Sequence, residues 1–166
     1  MKVAFLASEV IPYAKTGGLA DVAGALPKFL SPLGADVRVF MPFYPDVRKK
    51  GLPLTAVVER ASLNWAGKKT EFSVLEHRAE GFLVDFIVHD AYYDRDCLYG
   101  TSAGDYPDNG ERFAFFTRAS LEAMKALGFP PDIVHGHDWQ AATVFVYLKF
   151  VLAGDPFFKG TRSLFT

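Results

Sequence analysis

The segment Lys15-Thr16-Gly17-Gly18-Leu19-Ala20-Asp21 places a full positive charge and two adjacent glycines directly before a stretch with helical apolar spacing. Glycine lets backbone amides approach a ligand closely, and a helix N-terminus carries positive partial charge. Lys15, Gly17 and Gly18 therefore suit a phosphate, or the negative charge that grows on a departing nucleotide. The segment fits neither the Walker pattern nor GxGxxG, and a surface lysine beside a tight turn accounts for the same spacing. Asp21 can take a sugar hydroxyl, yet an acid in a first helical turn stabilises the dipole whatever its function. Asp138 has the same double reading: it closes a strand at the edge where ligands bind, and it stands where an N-cap belongs. His135, His137 and Asp138 are all metal-ligand types, but no further Cys or His cluster completes a set, so we expect no metal there and histidines satisfied near a strand end.

A second group lies between His89 and Gly110, too long for a plain linker. Tyr92, Tyr93, Tyr99 and Tyr106 are interspersed with Asp94, Asp96, Asp105 and Asp108, and Asn109 follows. Aromatic faces stack on sugar rings while carboxylates and amides take hydroxyls, which suits a carbohydrate; a self-packed surface loop is the alternative.

Positioning these residues requires strands ending beside helix starts. Residues 2–8 read as a first buried strand, and Leu19, Val22, Ala23, Leu26, Phe29, Leu30 and Leu33 as one helix face, kinked at Pro27 and stopped near Gly34. A second strand follows over 36–42. Residues 54–89 are β-rich, with apolar runs at 56–58, 72–75 and 82–88 and a turn at Glu80-Gly81, which predicts a hairpin or meander insertion. A helix over 110–127, a strand over 132–136, a helix over 139–152 and a last strand from Arg162 complete an α/β, Rossmann-like, doubly wound and mostly parallel sheet.

At 166 residues, 50% hydrophobic and 22% charged, the chain has material for one domain with a substantial core. A formal net charge of −1 gives no global field that favours nucleic acid or an anionic membrane. The first apolar run is too short for a signal-peptide core and no later one approaches a bilayer span. The single cysteine, Cys97, cannot form an internal disulfide and reads as a small buried residue. A cytoplasmic location is the expectation.

Four ordered segments resemble the bacterial glycogen synthases and plant starch synthases that use ADP-glucose: Ala7-Ser8-Glu9-Val10 with Pro12; Lys15 through Val22; Tyr106, Asp108-Asn109 and Arg112-Phe113; and Pro131 through Gln140. The resemblance covers essentially the whole chain and implies the acceptor-side, N-terminal half of a GT-B glycosyltransferase over residues 1–166, with a C-terminal nucleotide-binding domain outside this chain. It implies transfer of glucose from ADP-glucose to the non-reducing end of an α-1,4-glucan with retention, without metal or cofactor. Lys15, Gly17 and Gly18 would lie against the donor phosphates. Asp21 and Asp138 would act at the sugar side of the cleft as catalytic residues, with Tyr99 and His137 binding substrate. The family continues beyond the position of Thr166 into a histidine-asparagine pair, so the chain reads as a cut or natural fragment, inactive alone. Another GT-B enzyme with a different nucleotide sugar, or a non-catalytic glucan-binding module, are the alternatives.

Overall fold

The computed structural model describes all 166 residues. In chain order its elements are β1 (Lys2–Leu6), α1 (Leu19–Leu30), β2 (Asp36–Pro42), α2 (Pro45–Lys49), β3 (Thr55–Trp65), β4 (Lys68–Arg78), β5 (Leu83–Val88), α3 (Asp90–Tyr93), β6 (Gly100–Thr101), β7 (Gly104–Asp105), α4 (Asn109–Ala126), β8 (Ile133–Gly136), α5 (Asp138–Ala141), α6 (Thr143–Val146) and β9 (Arg162–Phe165). Seven strands form one sheet in the order β3-β4-β5-β2-β1-β8-β9. β1 pairs in parallel with β2 (Val3 beside Val37) and with β8 (Val3 beside Ile133), while β2–β5 and β8–β9 are also parallel. The expected mostly parallel α/β sheet is thus the observed one. Its central strands are buried almost end to end, as strands covered on both faces must be. No helix is long and apolar enough to cross a membrane.

The β-rich segment forms the expected meander: β3, β4 and β5 pair antiparallel in succession, and because β5 also pairs in parallel with β2 the meander is continuous with the main sheet and extends it to its edge. β3 runs far beyond residues 56–58 because its edge position tolerates Glu59, Arg60 and Asn64, and register shifts along it break the two-residue alternation. Its turn places Ala66 at φ 50° and Gly67 at φ 78°, the positive pair that a two-residue hairpin turn needs.

Three other local expectations need correction. First, α1 passes through Pro27 but stops at Leu30, and Ser31–Leu33 form a 3-10 turn. Pro32 has no N–H to continue the α ladder, and the Gly34 amide instead donates to the Ser31 carbonyl at 2.9 Å. Secondly, the expected helix over 139–152 keeps helical dihedrals at Ala142 and Val146 but is split into α5, α6 and a π-helical turn over Tyr147–Val151. Thr143, Val144, Val146 and Val151 are β-branched, poor carriers of a regular ladder, and Thr143 is held by Thr117 of α4 at 2.6 Å. Thirdly, Cys97 is exposed rather than buried, set in the polar loop before β6.

Gly24 marks where α1 meets the loop that follows β1. A Cβ there would stand 2.3 Å from Ile11 Cγ1 and 2.7 Å from the Ile11 carbonyl oxygen, while the Ile11 amide donates to Ala20 at 3.0 Å. Gly24→Ala must therefore push the loop off the helix. The expected loss is about 1–3 kcal/mol, read as a lower urea midpoint with unchanged m-value; an unchanged midpoint would show that the loop yields freely.

Candidate functional site at the carboxyl edge of the sheet

The loop leaving β1 is organised by a residue that the sequence reading passed over. Glu9 is 3% exposed and accepts hydrogen bonds from two distant segments. One carboxylate oxygen takes the backbone amides of Thr16 and, at 3.0 Å, Gly17. The other takes Thr16 Oγ1 at 2.6 Å and the Tyr99 hydroxyl at 2.6 Å. Burial pushes the Glu9 pKa upward and is the largest single influence, but the bonds from Thr16, Tyr99 and Gly17 together outweigh it and the carboxyl titrates below its ordinary value. Tyr99, pushed strongly up by burial and then by its neighbours Tyr44 and Glu9, stays a phenol.

This arrangement redistributes the donors expected for an anion. The Gly17 amide is committed to Glu9, so the donors left at the start of α1 are those of Gly18, Leu19 and Ala20, which have no intrahelical acceptor. Gly17 and Gly18 are exposed. Lys15 and Asp21 meet each other: Nζ lies 2.6 Å from Oδ1, with both side chains about half exposed. Such an exposed pair contributes little to stability and leaves each partner available to exchange the other for a ligand.

Across from this loop, β8 delivers His135, and His137 and Asp138 follow directly. His137 is 2% exposed, its ring stacked on Phe5 at 3.9 Å, with Nε2 buried and unpartnered. His135 engages Thr166 Oγ1 through Nε2 at 2.8 Å, and no three His, Cys, Asp or Glu side chains converge to hold a metal ion. Asp138 is exposed, adopts φ 59°, and makes no side-chain cap; α5 begins on Asp138 itself, with His137 in the cap position. The N-cap reading of Asp138 is therefore not realised. Trp139, 53% exposed, brings its ring to 6.2 Å from Tyr99 and 5.2 Å from Phe113. It is a second residue that the sequence reading did not single out, although its motif did contain it.

Arg112 braces the tyrosine loop from beneath. Fully buried, it donates to the carbonyls of Tyr92 at 2.7 Å and Leu98 at 2.9 Å and to Asn109 Oδ1 at 2.6 Å, while Asn109 donates to the Tyr99 carbonyl at 2.7 Å. Of the four tyrosines only Tyr99 reaches the site. Tyr93 is buried against Arg112, Tyr106 lies under the guanidinium groups of Arg95 and Arg112, and Tyr92 bonds Trp65 and Glu111. Asp108 is spent on Arg95. None of the cavities is lined by Lys15, Asp21, Tyr99 or Asp138, and the largest, about 610 Å3, lies at the other end of α1 beside Gly24, Phe29 and Glu80. The candidate residues form one open wall rather than a pocket.

Two buried groups set opposing pH dependences. His137 is pushed down to about 3 by burial and then by His135, so the unfolded chain binds its proton more readily and stability falls as pH drops below about 6.5. Asp85, fully buried on β5, is pushed up to about 7, burial outweighing its Arg38 partner at 3.0 Å and Glu76 adding to the rise. There the folded state holds the proton more tightly, so stability falls as pH rises from about 4 to 7. The two slopes oppose between about pH 4 and 6.5. Asp85→Asn removes one of them, and its urea midpoint should fall more steeply than that of the parent as pH drops from 7 to 4. A difference between the two proteins that is constant across this range would refute the opposition.

Comparison with known proteins is consistent along the entire chain. The sequence model of a family described as Starch synthase catalytic domain matches residues 2–166. A glycogen synthase of Syntrophotalea carbinolica is 46% identical over 166 residues, covering 100% of this chain and 34% of that protein. One from Elusimicrobium minutum is 47% identical over 168 residues, again 100% of this chain and 34% of the relative. The catalytic domain of starch synthase IV from Arabidopsis thaliana, solved bound to ADP and acarbose, superimposes with a TM-score of 0.86 at 32% identity, covering 98% of this chain and 33% of that one. The chain spans about a third of the length of the curated relatives it matches.

Proposed function

Since the chain belongs to the starch synthase catalytic domain family, we propose that it forms the acceptor-side half of a retaining glucosyltransferase that moves glucose from ADP-glucose to the non-reducing end of an α-1,4-glucan. The observation that carries this reading is the match of the whole chain to glycogen synthases and to a starch synthase domain solved with ADP and acarbose. In the reaction the bond between glucose C1 and the diphosphate oxygen breaks, negative charge collects on departing ADP, and C1 bonds to the oxygen of an acceptor hydroxyl, whose proton leaves with the departing phosphate.

Lys15 and the free amides of Gly18, Leu19 and Ala20 supply positive potential where that charge grows. Lys15 is half exposed and its ammonium bonds only Asp21, so passing it to a phosphate breaks one exposed ion pair. Asp21, Asp138 and Tyr99 would face the sugars, with Trp139 as an exposed flat surface beside them. His137, buried on Phe5, acts from beneath the wall unless the chain around Asp138 moves. The C-terminal nucleotide-binding domain supplies the opposite wall of the cleft, and the reaction takes place in the cytoplasm.

The testing experiment is transfer of labelled glucose from ADP-glucose to glycogen by the full-length protein. Glucan binding without transfer would favour a non-catalytic binding module, and transfer only from another nucleotide sugar would favour the related GT-B reading. In the same assay, Lys15→Ala should lower kcat/KM for the donor by about tenfold to a hundredfold, the size of a lost charged hydrogen bond, with the thermal midpoint nearly unchanged. Unaltered donor kinetics would remove Lys15 from the site.

A further inference from the structure

We propose that Glu9 is a positioning residue that couples the donor-side loop, residues 15–18, to the acceptor-side tyrosine loop, so that order in one is transmitted to the other. The proposal rests on the glucosyltransferase reading for what the loops bind, and on geometry alone for the coupling.

Glu9 is a buried carboxylate with no cationic partner: it takes part in no ion pair, and the nearest candidate in sequence, Lys15, is engaged with Asp21. Its charge is instead satisfied by four donors, three from Thr16 and Gly17 and one from Tyr99, ninety residues further along. No hydrogen bond joins the two loops directly; the link runs through Glu9, while the Ser8 hydroxyl, 2.7 Å from that of Tyr99, bonds the tyrosine side alone. Each loop therefore supplies part of what the carboxylate needs. If the 15–18 loop withdraws, one buried carboxylate oxygen loses both of its donors and the other keeps only Tyr99; if Tyr99 withdraws, that second oxygen is left with Thr16 Oγ1 alone, and under-satisfying a buried charge is more costly than losing an ordinary exposed bond. Binding that orders one loop thus lowers the cost of ordering the other, which is positive coupling between sites. Behind Tyr99, Asn109 donates to its carbonyl and Arg112 donates to Asn109, so a shift of Tyr99 is carried into the rest of the tyrosine loop.

Glutamine at this position keeps the shape. Its oxygen can accept the two amides and its nitrogen can donate to the hydroxyls of Thr16 and Tyr99, so Glu9→Gln should retain the connection in weakened form while Glu9→Ala abolishes it.

Two measurements on the full-length protein test the proposal. In hydrogen exchange, Tyr99→Phe should quicken exchange of the Thr16 and Gly17 amides about tenfold, as expected for coupled neighbours, and adding Glu9→Ala should remove any further effect of Tyr99→Phe. Exchange at residues 16 and 17 that ignores Tyr99→Phe would overturn the coupling whatever the protein catalyses. In calorimetry, ADP should tighten maltooligosaccharide binding about tenfold in the parent, less in Glu9→Gln and not at all in Glu9→Ala. Independent binding of the two ligands in the parent, or equal coupling in Glu9→Ala, would overturn the role in the site. Failure of the parent to bind either ligand would instead count against the glucosyltransferase reading and leave the exchange result to decide the loop coupling. Should Glu9→Ala lose the fold by circular dichroism, the Thr16→Val and Tyr99→Phe double-mutant cycle, run in the parent and in Glu9→Gln, reads the same coupling from its non-additivity, and additive effects in the parent would refute it.

Discussion

Residues 1–166 produced alone are expected to fold, yet to transfer no measurable glucose from ADP-glucose to glycogen under conditions where the full-length protein is active. The expectation follows from the shape of the site. Lys15 and Asp21 are half exposed and no cavity is lined by them or by Asp138, so a diphosphate on this wall meets water on its other side. Screening and competition from solvent leave one ammonium and a few amides with little net affinity. Holding donor and acceptor in line is worth on the order of 10⁵ M in effective concentration or more, and it exists only when two walls close on the sugar. Glucan affinity should survive better than donor affinity, because Tyr99 and Trp139 are fixed by Glu9 and Phe113 within this chain. A labelled-transfer assay run beside calorimetry with ADP-glucose and a maltooligosaccharide checks all three statements. Robust transfer by the isolated chain would overturn the two-domain reading.

The parts of the fold legible in the sequence were those with one dominant signal. β1, β2 and β8 are short apolar runs flanked by polar loops or turn residues, and the apolar spacing of α4 is ended by Gly128 and Pro130. What escaped depended on partners distant in the chain. Nothing local in Phe82–Val88 says that β5 lies parallel to β2, because the same run serves as a hairpin strand and as a core strand. The split of the helix after Trp139 arises where β-branched residues meet a packing demand from Thr117. At the site, Lys15, Gly17, Gly18 and Asp21 could be picked out because they are consecutive and of unusual type. Glu9 could not be weighed, since its partners Thr16 and Tyr99 are brought to it by folding. One signal was nonetheless present: an acid just beyond an apolar strand, where charge is expensive, announces that donors must come to it. The tyrosines showed the converse, four alike in sequence of which Arg112 and Arg95 claim two.

Asp138 allows function to be separated from fold in one residue. It adopts φ 59°, where a side chain costs about 1–2 kcal/mol, less for Asp and Asn than for other residues. Nothing in this chain offsets that cost through its carboxylate, which is exposed and caps nothing, although its amide donates to the Thr166 carbonyl at 2.9 Å. Strain held by an exposed side chain with no intramolecular partner is characteristic of residues kept for a ligand. Asp138→Gly should therefore relieve the backbone: the gain of about 1 kcal/mol in the folded state is offset in part by the freer unfolded chain, so stability stays level or rises slightly. Its kcat/KM in the full-length enzyme should nonetheless fall about a hundredfold, the value of a charged hydrogen bond to a sugar hydroxyl that strengthens in the transition state. Asp138→Asn tolerates the same backbone and keeps the shape without the charge, so it should match the parent in urea midpoint and fall between the parent and Asp138→Gly in rate. Asp138→Ala pays the full backbone cost and should lose both stability and activity. The pair of measurements decides the matter: full activity in Asp138→Gly would show that the carboxylate serves no ligand, and a marked loss of stability in that variant would show that the Asp138 side chain, not the strained backbone, holds the start of α5 in place.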